Sequence, residues 1–131
     1  MQTFRRNAAL LFFTLLLSAK GLFAQSTGNA DAILGIFQDN NHGTKVGVYK
    51  ENNQYFGKIT ELGNRGGKAR VGTILLKNLT YANGKWSGKV YAPSRDSDYP
   101  VVITLPDPTT MSIRVSAGII TRNLTWKRIQ P

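Results

Sequence analysis

Asp96 and Asp98 are the only closely spaced carboxylates in the chain, two residues apart in the stretch between Pro93 and Tyr99. Paired acids can donate oxygens to Ca2+ or divide the work of acid and base in proton transfer. Calcium takes roughly 6–8 oxygen ligands, and this stretch offers few beyond the pair itself. A solvated turn beside Ser94 and Ser97 accounts for both acids, so no metal site is assigned. His42 is the only imidazole and sits in an Asn-Asn-His-Gly turn. No nucleophile-elbow motif accompanies it, and no catalytic residue is assigned. The other acids, Asp31, Asp39, Glu51, Glu61 and Asp107, are scattered at turns and strand ends.

Binding chemistry has better candidates. Arg65, Lys68 and Arg70 share a loop with Gly66 and Gly67, whose freed backbone N–H groups suit an anion. Lys77, Lys85, Lys89 and Arg95 would extend its field, although a basic loop also reads simply as solvated surface. Phe37, Tyr49, Tyr55, Phe56, Trp86, Tyr91, Tyr99 and Trp126 fall on alternating stretches, so an inward subset could line an apolar cavity or pack it solid. Tyr55, Trp86 and Tyr91 are the leading ligand-binding candidates, with Arg65 or Lys68 beside an anionic headgroup.

Composition narrows the classes. The 131 residues include no cysteine, which excludes disulfides, thiol nucleophiles, zinc fingers and iron–sulfur clusters. No cofactor is implied. Seventeen Lys and Arg stand against seven Asp and Glu, a formal charge of +10. Arg5 and Arg6 precede the apolar run Ala8–Leu17, and Leu22-Phe23-Ala24 ends in a small residue, the pattern of a secretory signal peptide cut after Ala24. The run is short of the ~20 residues that span a bilayer, so a soluble exported protein, periplasmic or secreted, is expected rather than a membrane-spanning one. Losing Arg5, Arg6 and Lys20 leaves +7, which favours anionic partners such as lipid headgroups. Nucleic acid is not expected, since the chain leaves the cytoplasm and lacks an aromatic–basic RNA-binding motif.

The elements that must position these residues read as strands. After a flexible mature start over 25–32, a single domain over 33–131 shows short alternating runs. They cover Ile33–Gln38, Thr44–Lys50, Tyr55–Leu62, Ile74–Tyr81, Lys85–Tyr91, Tyr99–Leu105, Met111–Ala117 and Ile120–Ile129. Ile74–Tyr81 is ambiguous between a strand and a helical turn. Asn83-Gly84 is the strongest hairpin signal, because both residues tolerate positive φ. Trp126 and Arg128 share one face of the last strand. About eight strands joined by short turns predict an all-β, antiparallel, up-and-down barrel, with a two-sheet sandwich as the alternative.

Several stretches resemble DUF2147, a family of small exported bacterial proteins of unknown function. They are Gly35-Ile36-Phe37, Tyr55-Phe56-Gly57-Lys58-Ile59, Trp86 to Pro93, Val115 to Gly118 and Arg122 to Arg128. The Trp86 stretch is similar to the family's W-x-G-G-x-I-Y-D-P run, with Ser87 in place of a Gly and Ala92 in place of the Asp. The resemblance implies a barrel similar to lipocalins and fatty-acid-binding proteins. In that group a first-strand G-x-W packs near a last-strand Arg at the closed end. Gly35, Phe37 (where Trp is usual) and Arg128 would take those parts. The expected function is therefore a non-enzymatic exported protein holding a small apolar or amphiphilic, lipid-like molecule. The alternative is a cell-envelope module with a filled barrel that acts through its basic outer surface.

Overall fold

The computed structural model describes residues 29–64 and 67–131, so the expected signal peptide and the loop residue Arg65 lie outside the described residues. Eight strands form a closed barrel in chain order. They are β1 (Gly35–Asp39), β2 (Lys45–Glu51), β3 (Gln54–Glu61), β4 (Ile74–Ala82), β5 (Lys85–Ala92), β6 (Ser97–Asp107), β7 (Thr110–Ala117) and β8 (Ile120–Gln130). Every seam is antiparallel, and β1 against β8 closes the ring. Closure leaves no unpaired sheet edge, which settles the architecture in favour of the barrel over the sandwich.

Turn chemistry sets the register. Asn52-Asn53 and Asn83-Gly84 link their strands with two residues each, all four at positive φ, as type I′ turns require. Gly118-Ile119 has positive φ only at the glycine, the requirement of a type II′ turn. Ile74–Ala82 resolves as a strand. Its Asn78, at φ 52°, sits in an irregularity of the β4 ladder that lets Leu76 and Leu79 both be buried.

Strand alternation fills the middle of the barrel. Phe37, Val46, Ile59, Leu76, Leu79, Ile103, Met111, Ile113 and Trp126 are almost fully buried. Tyr49, Phe56 and Tyr91 fall on the opposite parity and lie on the outer surface, Tyr49 and Phe56 stacked at 5.7 Å. The end of the expected flexible stretch is built differently. Ala30–Ile33 forms a 3-10 turn whose Ile33 is fully buried. An apolar side chain that finds a cavity at the barrel base outweighs the short-range polarity of Asn29 and Asp31, which makes the sequence there read as loose.

Candidate functional site

The two ends of the barrel are built for different tasks. At the end holding the turns Asn52-Asn53, Asn83-Gly84 and Pro108-Thr109, the 3-10 turn lies across the opening. The Trp86 indole N–H donates to the Ala30 carbonyl at 3.0 Å. The Tyr55 hydroxyl donates to Asp31, and Lys50 pairs with the same carboxylate at 3.2 Å. These contacts lower the Asp31 pKa, the Tyr55 hydrogen bond most of all. Burial first, and the Asp31 carboxylate second, push the Tyr55 hydroxyl up to about 12.

Gly35, Phe37 and Arg128 meet at this closed end. The guanidinium carbon of Arg128 lies 4.6 Å from the Phe37 ring centre. Its three nitrogens donate to the carbonyls of Pro108 (2.7 Å), Leu34 (2.6 Å) and Ala32 (2.6 Å). One planar side chain thus ties the amino-terminal turn, the β6–β7 connection and β8 together, and a five-donor fork suits such a job better than an ammonium. Gly35 is a glycine for a steric reason. Its φ is +139°, and a Cβ there would lie 2.5 Å from the Arg128 Nη1 and 2.6 Å from the Gln130 carbonyl oxygen.

The opposite end carries a cavity of about 260 Å3. Its inner wall is Val90, Tyr99, Val115 and Leu124, with Ile120 and Arg122 above them on β8 and Arg95 on the β5–β6 turn. That volume lies just under the ~300–1,000 Å3 typical of small-molecule pockets, enough for a compact ligand or the end of a chain. Neither Arg95 nor Arg122 forms an ion pair among the described residues. The site therefore offers an apolar floor beneath two available cations, which suits an anionic amphiphile. Among the described residues no three of His, Asp and Glu converge as a metal site would need, and no helix is long and apolar enough to cross a membrane.

The ligand-binding residues expected from the sequence are divided between these places. Tyr55 and Trp86 are not in the cavity wall; both are buried, with their polar atoms engaged by the 3-10 turn. Tyr91 borders the cavity, and its hydroxyl donates to Asp96 at 2.6 Å. Lys68 reaches the same Asp96 at 2.9 Å, so its charge is already matched. The Tyr91 hydrogen bond, then Lys68, lower the Asp96 pKa, while Asp96 raises that of Tyr91. Asp98 is taken by Lys77 at 3.1 Å. The two acids that stood out by spacing are thus held by separate lysines. His42 points its Nδ1 at the buried Asp39 carboxylate, 3.0 Å away.

Ile120, Arg122 and Leu124 have no site role in the sequence reading, although a signal for them exists. Trp126 and Arg128 share the inner face of β8, and stepping back by twos from Trp126 reaches Leu124, Arg122 and Ile120 in turn.

No curated protein and no solved structure matches the chain. The family model described as "Uncharacterized protein conserved in bacteria (DUF2147)" matches residues 21–128, nearly the whole of the barrel, and the chain belongs to that family.

Proposed function

We propose that this protein is an exported, non-enzymatic carrier that holds a small anionic amphiphile at the mouth of its barrel. The observation that carries the reading is the cavity itself: Tyr99, Val115 and Leu124 form an apolar wall directly below Arg95 and Arg122. An apolar tail entering there leaves water, which stabilises it by about 25 cal/mol per Å2 buried. The headgroup stays at the rim, where two guanidiniums can each give it a forked, charge-assisted pair of hydrogen bonds. The filled middle of the barrel limits the tail's depth, so short or branched chains fit this site better than long straight ones. Nothing in the cavity wall arranges a nucleophile beside a base, and the reading needs no chemical step.

Native mass spectrometry of protein purified gently from its own cell tests this directly. A reproducible added mass, lost when Leu124→Glu places a carboxylate in the cavity and weakened about tenfold in Arg122→Ala, is the expected result. A clean unliganded mass that persists after incubation with envelope lipid extract would sink it. Such an outcome would leave the alternative of an envelope module acting through its surface, which the packed middle of the barrel favours.

A further inference from the structure

The exposed apolar residues are not spread evenly over the barrel. Leu62, Val71, Ile74, Ile119 and Ile120 all belong to connections or strand ends at the mouth, whereas among the described residues only Val102 and Ile129 lie elsewhere. Ile119 is fully exposed at the tip of the β7–β8 hairpin. A single exposed apolar residue is unremarkable, but a fully exposed isoleucine on a two-residue turn has no packing role, since Gly118 and the register already form the turn. The other cluster, Leu62, Val71 and Ile74, sits on the β3–β4 connection. Around an eight-strand ring that connection faces the β7–β8 hairpin across the mouth, so the two apolar prongs stand on opposite sides of the cavity opening.

Charge is distributed to the same effect. Each carboxylate at the mouth end already has a partner. Glu61 pairs with Lys45 at 3.3 Å, Asp96 with Lys68, Asp98 with Lys77, and Asp39 is held by His42. Arg70, Arg95 and Arg122 have no ion-pair partner among the described residues. Unmatched cations occur elsewhere too, Lys85 and Lys127 at the closed end among them, but at that end Glu51 and Asp107 are also without an ion pair among the described residues, whereas the unmatched charge at the mouth is all positive. Apolar tips beside unmatched guanidiniums are complementary to the interface of an anionic bilayer: side chains enter the acyl boundary while guanidiniums remain among the phosphates.

We infer that the mouth of the barrel is a docking face for an anionic phospholipid bilayer, with Ile119 as its inserting tip and Arg70, Arg95 and Arg122 as its headgroup contacts. This goes beyond ligand holding, because it gives the cavity an orientation: its opening faces the membrane, so an amphiphile can pass between bilayer and pocket without crossing bulk water. Arg95 and Arg122 serve both the cavity and the docking face, but neither Ile119 nor Arg70 lines the cavity, so these two report on docking alone. A failure of docking is therefore distinguishable from a failure of ligand binding.

The cysteine-free chain makes the test clean. Ile119→Cys and, separately, Glu51→Cys at the closed end would each be labelled with a polarity-sensitive fluorophore, then mixed with phosphatidylcholine vesicles with or without phosphatidylglycerol. The label at 119 should brighten several-fold on anionic vesicles only, and the label at 51 should stay water-like. Adding Arg70→Glu, or salt on the order of 0.5 M, should weaken that binding about tenfold. A silent label at 119, or equal brightening on neutral vesicles, overturns the inference. So does brightening at 51: attachment through residues ahead of Asn29 would bring that end to the membrane, because Asn29 and Glu51 share it.

Discussion

The closed end and the mouth of this barrel treat their polar groups in opposite ways. At the closed end Arg128 spends its donors on three backbone carbonyls, Trp86 caps a fourth, and Tyr55 and Lys50 share Asp31. At the mouth Arg95 and Arg122 stand over apolar side chains with no carboxylate partner among the described residues. Internally satisfied polar groups contribute stability, whereas unsatisfied ones near a cavity contribute recognition. The same residue type thus serves two ends differently: Arg128 holds the chain together, and Arg122, three turns of alternation earlier on one strand face, is left available for something else.

Substitutions can break that contrast, starting with the most damaging. Arg128→Leu leaves the carbonyls of Ala32, Leu34 and Pro108 without their donor and removes the stack on Phe37. We expect a loss of about 3 kcal/mol or more in urea unfolding, from several charge-assisted hydrogen bonds lost together. Trp86→Phe keeps most of the buried ring but strands the Ala30 carbonyl, and about 1–2 kcal/mol should go with it. Ligand retention in that variant should be unchanged, because Trp86 is not in the cavity wall.

Tyr55→Phe should cost about 1 kcal/mol at neutral pH. It also carries a signature in alkali. The hydroxyl titrates near 12 in the folded protein and near its ordinary ~10 when unfolded. The unfolded chain therefore ionises first, and the Tyr55 contribution, complete below about pH 10, is lost as pH rises towards 12. The stability difference between wild type and Tyr55→Phe should shrink over that window. A difference that is flat with pH would show that the hydroxyl is neither buried nor bonded to Asp31.

Arg122→Ala completes the series with the smallest effect on folding. Its stability should lie within about 0.5 kcal/mol of wild type, because it removes no internal ion pair. If Arg122→Ala unfolds as readily as Arg128→Leu, the two ends do not differ in kind, and the mouth is a second structural plug.

Much of this architecture was legible in the chain. Asn83-Gly84 and Asn52-Asn53 specify their turns through positive φ, and alternation through Val46-Val48 and Trp126-Arg128 marks inward faces without reference to distant contacts. The candidate site is less legible, because Tyr55 and Trp86 share the inward parity of the cavity wall and only their depth, at the closed end of their strands, keeps them out of it. Tyr91 shows the limit of that reasoning. Its neighbour Val90 turns inward, so the phenol must turn outward, and its place beside Asp96 and Lys77 follows from the β4–β5–β6 pairing. The docking of Ala30–Ile33 was invisible for a different reason: its partners lie more than fifty residues away for Trp86 and more than ninety for Arg128.

That last separation has a consequence for how the protein comes to be. Seven of the eight seams join consecutive strands and can form as soon as both are available, but β1 waits for β8. Until β8 reaches β1, both strands present bare backbone edges, and the Arg128 clamp does not exist. A chain cut within β8 is thus an open, sticky sheet rather than a slightly weakened barrel. Quality control acting on the folding chain would meet an all-or-nothing substrate, with closure completed by the contacts of Arg128.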